Sequence, residues 1–251
     1  MRYLYDLSKV LIAREIKLRY RRSILGIAWS LVTPLVQLGV FTFLFRSVLP
    51  LGINNYSSFL FTGLLAWNWF QTALISGTGV IVDNRDLVRR PGFPIGVLPF
   101  VTVTTNWIHF VLALPILLAF LLLNQVNLSP YLLLLPVLFA VQFLFTVGLI
   151  YFLAALHVTF RDTQYMLGIV LMLGFYLTPV IYEFSAVPER FRMLYQINPM
   201  AVLIGAYRAI LLEARPPSML PLILLALAAA VLAWFGAYVY LRGGARYAEE
   251  L

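Results

Sequence analysis

The feature that most constrains this chain is the spacing of its charges, which leaves long intervals without a single Asp, Glu, Lys or Arg. Between Arg22 and Arg46 lie 23 uncharged residues, between Arg46 and Asp83 36, between Asp162 and Glu183 20, and between Arg215 and Arg242 26. A membrane helix needs about 20 predominantly apolar residues, because each adds about 1.5 Å of rise against about 30 Å of hydrocarbon. The longest interval, Pro91 to Phe160, runs 70 residues and is broken by the polar cluster Asn124, Gln125, Asn127, Ser129 and Pro130, so it holds two crossings. The 36-residue interval opens with the turn formers Pro50, Gly52, Asn54 and Asn55, so only its later part crosses. The pattern predicts an all-α integral membrane fold, a single transmembrane domain over 1–251 with six transmembrane helices at about 24–46, 59–82, 100–123, 131–157, 164–182 and 218–241. Pro34, Pro115 and Pro136 fall inside spans, where neighbouring helices can satisfy the freed carbonyls.

Composition agrees. With 62% hydrophobic and 11% charged residues, the chain departs from soluble domains, at about 45–50% and about 25%, and from the charged, apolar-poor signature of disorder. The absence of cysteine removes disulfides, thiolate metal sites and cysteine nucleophiles together. A net charge of +8 on such a chain is expected to face anionic lipid head groups, with no nucleic-acid partner. Thirteen Lys and Arg flank the spans on the N-terminal side, against five on the other, Arg46, Arg190, Arg192, Arg208 and Arg215. The positive-inside rule then predicts a multi-pass protein with both termini cytoplasmic. Residues 1–22 lack the uninterrupted apolar core of a cleavable signal peptide.

Three segments are not spans. Residues 3–22 contain no Gly or Pro and place Leu4, Leu7, Leu11 and Leu18 on one helical face, interrupted by Arg14. Seven basic residues in the first 22 suit an N-terminal helix (1–23) lying in the inner-leaflet interface, with plain topogenic charge as the alternative. Residues 83–99 form the one substantial cytoplasmic loop, and the Asp86 to Arg90 turn sets its acids before its bases, in the sense of a helix dipole. Bracketed by prolines, that turn reads as a rigid docking knob, or else as an ordinary solvated loop. The outer stretch from Glu183 to Ser218 is longer than a connector needs and too apolar to be solvated. Pro188 and Pro199 suit first helical turns, which predicts two short re-entrant helices over 183–217, the second too short to cross.

Catalytic chemistry is sparse. No carboxylate falls in the core of any predicted span, which argues against ion-coupled carriers. His109 and His157 have no Cys or carboxylate companions in the sequence with which to build a metal site. There is no G-x-x-x-x-G-K-[ST], and the two lysines, Lys9 and Lys17, both precede residue 18, so no P-loop binds ATP here. Asn127-Leu128-Ser129 matches a glycosylation sequon, with Pro130 following. No catalytic, metal or cofactor-binding residue is assigned. What remains is aromatic: the clusters Trp67, Trp69, Phe70 and Phe175, Tyr176, Tyr182 lie near the outer ends of the second and fifth spans. They read as an interfacial girdle, or as channel aromatics along which a sugar chain slides on its apolar C–H faces.

The stretch REIKLRYRRSILGIAWSLVTPLVQLGVFTFLF, HVTFRDTQ at 157–164, FYLTPVIYEFSAVPE at 175–189 and INPMAVLIGAYRAILL at 197–212 together resemble the membrane subunits of type-2 ATP-binding-cassette exporters for cell-surface polysaccharides. The similarity is collinear over nearly the whole chain and is nearest to the O-antigen and teichoic-acid export permeases. It implies a homodimer in the bacterial cytoplasmic (inner) membrane paired with two copies of a separate ATPase that binds ATP and Mg. The substrate would be an undecaprenyl-diphosphate-linked polysaccharide, moved through a channel between the subunits. By position, Asp83, Arg85, Asp86, Arg89, Arg90 and Phe93 would form the coupling helix against the ATPase, with Phe160, Arg161 and Asp162 as a second contact. Arg14, Lys17, Arg19, Arg21 and Arg22 would lie by the lipid-diphosphate entrance. Pro188, Arg190, Arg192, Asn198, Pro199, Tyr207 and Arg208 would belong to the outer gate. A permease for teichoic acid, capsule, a small lipid or a drug is the alternative within transport. An integral-membrane enzyme on lipid-linked sugars would need clustered titratable groups, for which the outer face offers Glu183, Glu189 and Glu213.

Overall fold

The computed structural model describes residues 2–21, 28–48, 52–126 and 129–250, and among them every regular element is helical. In chain order these are α1 (Arg2–Arg19), α2 (Trp29–Phe43, continued by a π-helical turn at Leu44–Val48), α3 (Tyr56–Thr78), α4 (Val80–Asp83), α5 (Arg85–Val88) and α6 (Val97–Leu123). A 3₁₀ turn at Pro130–Leu134 leads into α7 (Leu135–Thr159), followed by α8 (Thr163–Leu177), α9 (Glu189–Ile197), α10 (Pro199–Leu211), α11 (Met219–Arg242) and α12 (Gly244–Glu250).

Among the described residues, four stretches are long and apolar enough to cross a membrane: Leu31–Val48, Val97–Leu123, Pro130–Thr159 and Met219–Arg242. Helix α3, at 23 residues, also has the length, about 34 Å at 1.5 Å per residue, but Asn68, Gln71, Thr72 and Ser76 dilute its hydropathy. Helix α8 corrects the expected span at 164–182. It holds 15 residues and stops at Leu177, because Pro179 has no N–H to give and forces the residue before it out of helical geometry. Thr178 is accordingly extended, at φ −102° and ψ 140°. The expected second span is likewise divided, at Gly79, into α3 and the short α4.

Helix α3 is the axis of the bundle. Leu60, Phe61 and Leu64 are wholly buried, and α2, α6, α7, α8 and α10 pack around it. One buried glutamine ties three of these elements: Gln142 of α7 donates from Nε2 to the Ala66 carbonyl of α3 at 2.9 Å and accepts from the Tyr207 hydroxyl of α10 at 2.9 Å. Helices α7 and α11 meet most closely, through glycine. A Cβ on Gly148 would stand 2.8 Å from the Ala233 backbone nitrogen, and one on Gly236 2.5 Å from the Gly148 carbonyl oxygen. Small residues bring membrane helices together because van der Waals packing substitutes there for a hydrophobic driving force. Away from these seams the outer faces of α8 and α11 expose Ile169, Val170, Leu173, Leu220, Leu224 and Leu227, as side chains facing lipid do. Leu11 of α1, Val88 of α5 and Tyr247 of α12 fall in a second buried cluster, so both terminal helices gather at the end of the bundle that carries the 83–99 loop.

Candidate functional site

At this loop end, α4 and α5 form a step rather than a continuous helix, with Asn84 between them donating from Nδ2 to the Val80 carbonyl at 2.9 Å. Val88 is buried in the cluster with Val80, Ile81 and Leu98, while Arg85, Asp86, Arg89 and Arg90 are exposed and Asp83 is exposed in part. The return of the chain is clamped: Tyr151 donates to the Gly96 carbonyl at 2.8 Å and Tyr240 to the Ile95 carbonyl at 3.2 Å. Gly92, at φ +78°, occupies the left-handed turn that glycine adopts without strain, and Phe93 is half-buried beside it. The result is a charged knob on a rooted base. Partial burial raises the Asp83 pKa, against the pull of nearby His157 at the end of α7. His157 thus sits beside the knob, and Phe160 (61% exposed), Arg161 and Asp162 form an exposed turn immediately after the same helix.

A third contributor to this surface escaped the sequence reading. Helix α12 packs on α5 and α7, with Arg246 paired to Glu250 and the Thr159 hydroxyl 3.5 Å from Glu250 Oε2. The signal was the Gly243-Gly244 break after α11, followed by the aromatic anchor Tyr247.

Helix α1 lies against α6. Arg19 donates from Nη1 to Asn106 Oδ1 at 3.1 Å and stands 3.7 Å from Glu15, and the Tyr20 ring meets His109 edge-on at 5.5 Å. Burial raises the Glu15 pKa, with Arg19 pulling it down. Arg14, Lys17, Arg19 and Arg21 are exposed; Arg22 lies outside the described residues, as does the Asn127-Leu128 part of the sequon. Of the expected leucine face, Leu11 is buried and Leu7 half-buried, whereas Leu4 and Leu18 are exposed.

At the opposite end, Asn198 caps α10, its Oδ1 accepting from the backbone N–H of Met200 (3.0 Å) and Ala201 (3.3 Å) while Pro199 occupies the first helical position. This is the arrangement that side-chain caps and first-turn prolines favour. Pro188 sits just before α9, where Arg190 lies over the Phe191 ring and Arg192 pairs with Glu189 at 3.3 Å. Helix α10 is enclosed by protein along Met200, Leu203, Ile204, Tyr207 and Ile210. That sets the two short helices apart: α10 is packed within protein, whereas α9 exposes the apolar side chains Met193, Leu194 and Ile197.

Arg208 is the anchor of this end. It is 6% exposed, and its guanidinium donates to the carbonyls of Pro179 (2.6 Å), Val180 (2.6 Å) and Phe59 (3.3 Å) while lying 3.4 Å from the centroid of the Phe59 ring. A buried cation is tolerable when oriented dipoles and a ring face take the place of water. The clamp fastens the Thr178–Glu183 turn to α3 and α10, with help from Tyr56, which donates to the Ile181 carbonyl at 3.1 Å, and from Asn198, which donates to Thr178 Oγ1 at 2.9 Å.

The aromatic clusters part company. Trp67, Trp69 and Phe70 are buried, Trp69 stacked on Phe110 and Phe70 on Phe145. Their ring faces are engaged inside the subunit and are not open to a passing chain, which corrects the channel reading for these three. Phe175 is half-buried against Trp67 and Phe41, Tyr182 is half-buried with its hydroxyl 2.9 Å from that of Tyr195, and Tyr176 is 57% exposed.

Comparison with known proteins completes the picture. The profile of the family described as ABC-2 type transporter matches residues 7–212. The chain is 37% identical, over all of its length and 98% of the relative's, to the O-antigen export system permease protein RfbA of Myxococcus xanthus. It is 29% identical to an O-antigen export system permease protein RfbA of Klebsiella pneumoniae, over 84% of this chain and 82% of that protein. A second Klebsiella pneumoniae protein of the same name matches at 29% over 82% of this chain.

Proposed function

The chain belongs to the ABC-2 type transporter membrane family, and from that premise we propose that it is the permease subunit of an O-antigen exporter, carrying undecaprenyl-diphosphate-linked polysaccharide outward across the bacterial inner membrane. The observation that carries the reading is the full-length likeness to the Myxococcus xanthus permease. It is supported by a multi-pass helical bundle in which no nucleotide-binding motif occurs. Transport energy then comes from a separate ATPase, which binds ATP and Mg and docks on the charged surface made by α5, the Phe160–Asp162 turn and, we add, α12. Two copies of the chain enclose the pathway, both termini face the cytoplasm with the docking surface, and the Arg208-clamped turn lies at the outer gate. ATP-driven closure of the partner would press on the rooted knob and shift the outer end between two packings, as discrete switching in packed bundles requires.

The test is to purify the chain with a candidate ATPase partner and to measure ATP hydrolysis with lipid-linked polysaccharide. Stimulation by the polymer and not by small amphiphiles is expected. A complex that responds only to small lipids overturns the substrate, and failure to form any complex overturns the exporter.

A further inference from the structure

Midway along α3, Asn68, Gln71, Thr72 and Ser76 project within one half of the helix surface, at steps of 3, 4 or 5 residues that return to a shared side. Thr72 is exposed, and Asn68, Gln71 and Ser76 are half-exposed. Two neighbours extend the row: Asn68 donates to Gln37 Oε1 of α2 at 2.8 Å, and Asn106 of α6 donates to the Ser76 hydroxyl at 3.1 Å. A cavity of about 310 Å³ opens beside Gln37, Asn68, Gln71, Thr72 and Asn106.

Lipid is a poor cover for this surface, because hydrocarbon offers no partner to an amide or hydroxyl, and polar groups at membrane depth are found where protein or water meets them. The amides are incompletely used. Gln71 Oε1 accepts from Trp67 Nε1 at 2.8 Å, and among the described residues no hydrogen bond engages Gln71 Nε2, Gln37 Nε2 or Asn68 Oδ1. Each amide therefore keeps a donor or an acceptor to offer, and no charged side chain stands on this stretch of α3. Its foot differs: Asn106 Oδ1 accepts from Arg19 of α1, next to a second cavity, of about 360 Å³, that Arg14 and Arg19 line together with Glu15 and Asp83. Above this charged foot, a neutral row of donors and acceptors at membrane depth matches one kind of ligand, a long uncharged chain bearing hydroxyls.

We propose that the row Gln37, Asn68, Gln71, Thr72, Ser76 and Asn106 is the surface along which the sugar hydroxyls of the exported polysaccharide slide. The inference rests on the exporter reading and adds to it the residues that touch sugar, in place of the buried tryptophans. Neutral hydrogen bonds suit a moving chain, since each exchanges with water at small net gain, and Asn68, Thr72 and Ser76, about 6 Å apart along the helix, hand one sugar on to the next.

The chain has no cysteine, so Thr72→Cys carries a unique thiol. The full chain, reconstituted with its ATPase in proteoliposomes, is treated with a charged, membrane-impermeant methanethiosulfonate, with Leu224→Cys on the lipid face of α11 as the control. Thr72→Cys is expected to react at least tenfold faster than Leu224→Cys, and lipid-linked polysaccharide to slow it at least tenfold, whereas undecaprenyl diphosphate without sugars leaves it unchanged. A thiol as inert as the control overturns the proposal, as does equal protection by the bare lipid diphosphate. Labelling that ignores polysaccharide while unsubstituted proteoliposomes export it overturns the row and leaves the exporter standing. If those proteoliposomes neither export nor respond to polysaccharide, the exporter reading falls, and this inference with it.

Discussion

Arg208 shows how much one side chain can hold. Replacing it with Met leaves the carbonyls of Pro179, Val180 and Phe59 without their donors, at about 1–3 kcal/mol for each one that water cannot reach. Arg208→Met is therefore expected to lower the thermal midpoint of the detergent-purified chain and to open the Thr178–Glu183 turn to protease. Arg208→Lys should rescue only part of the loss, since an ammonium lacks the planar fork that spans three carbonyls. A midpoint equal to that of the unsubstituted chain for Arg208→Met would refute the clamp. Glu15 works in the opposite sense. Its pKa is raised by burial, so the folded chain holds a proton that the unfolded chain has released, and docking of α1 weakens as pH rises from the ordinary glutamate range through the raised value. Glu15→Gln should remove that pH dependence, read as protease sensitivity of α1 across the titration. In sequence, Arg208 counted as one of five basic residues on the outer side and, by resemblance, as a member of the outer gate, and neither reading gave its burial. The overlooked sign was a lone cation inside the apolar run PMAVLIGAYRAIL, which burial makes costly unless the fold supplies partners.

Among the elements, the seam between α7 and α11 carries a prediction with an internal contrast. Gly148→Ala forces a methyl onto the Ala233 backbone, which cannot rotate aside, and should destabilise the chain by about 1–3 kcal/mol as overpacking does. Gly168→Ala, on a helix with nothing within 4 Å, should instead stabilise by up to about 1 kcal/mol through helix propensity. Chemical unfolding in mixed micelles reads both, and two changes of the same sign would refute the seam. Helices as elements were legible because the bilayer dictates both their length and the placing of charge, and Pro188 and Pro199 announced the starts of α9 and α10. The end of α8 was written as well, in Thr178-Pro179, but a hydropathy reading runs past it to Tyr182. The tryptophans were misread for a different reason. Sequence places Trp67 and Trp69 at a depth in the membrane, while the direction each faces is decided by Phe110, Phe175 and other partners far away in the chain.

For the molecule as a whole, the charged knob is expected to be the point at which force enters. Arg85, Arg89 and Arg90 are exposed, so changing all three to Glu should change stability by no more than about 1 kcal/mol, as surface changes do, while export and polysaccharide-stimulated ATP hydrolysis fall at least tenfold. Unchanged surface polysaccharide in cells carrying the triple variant would refute that role. The loop could be recognised from its composition; its rooting by Tyr151 and Tyr240, and the company of α12, could not, because those contacts join distant parts of the chain. The glycine seam has one more consequence, for biogenesis. The ribosome finishes α7 well before α11, and at about 5–20 residues per second the intervening stretch takes on the order of seconds to make. Throughout that delay the groove at Gly148 has no Ala233 or Gly236 to fill it. A nascent chain released before α11 emerges thus leaves that seam open, and α11 closes it.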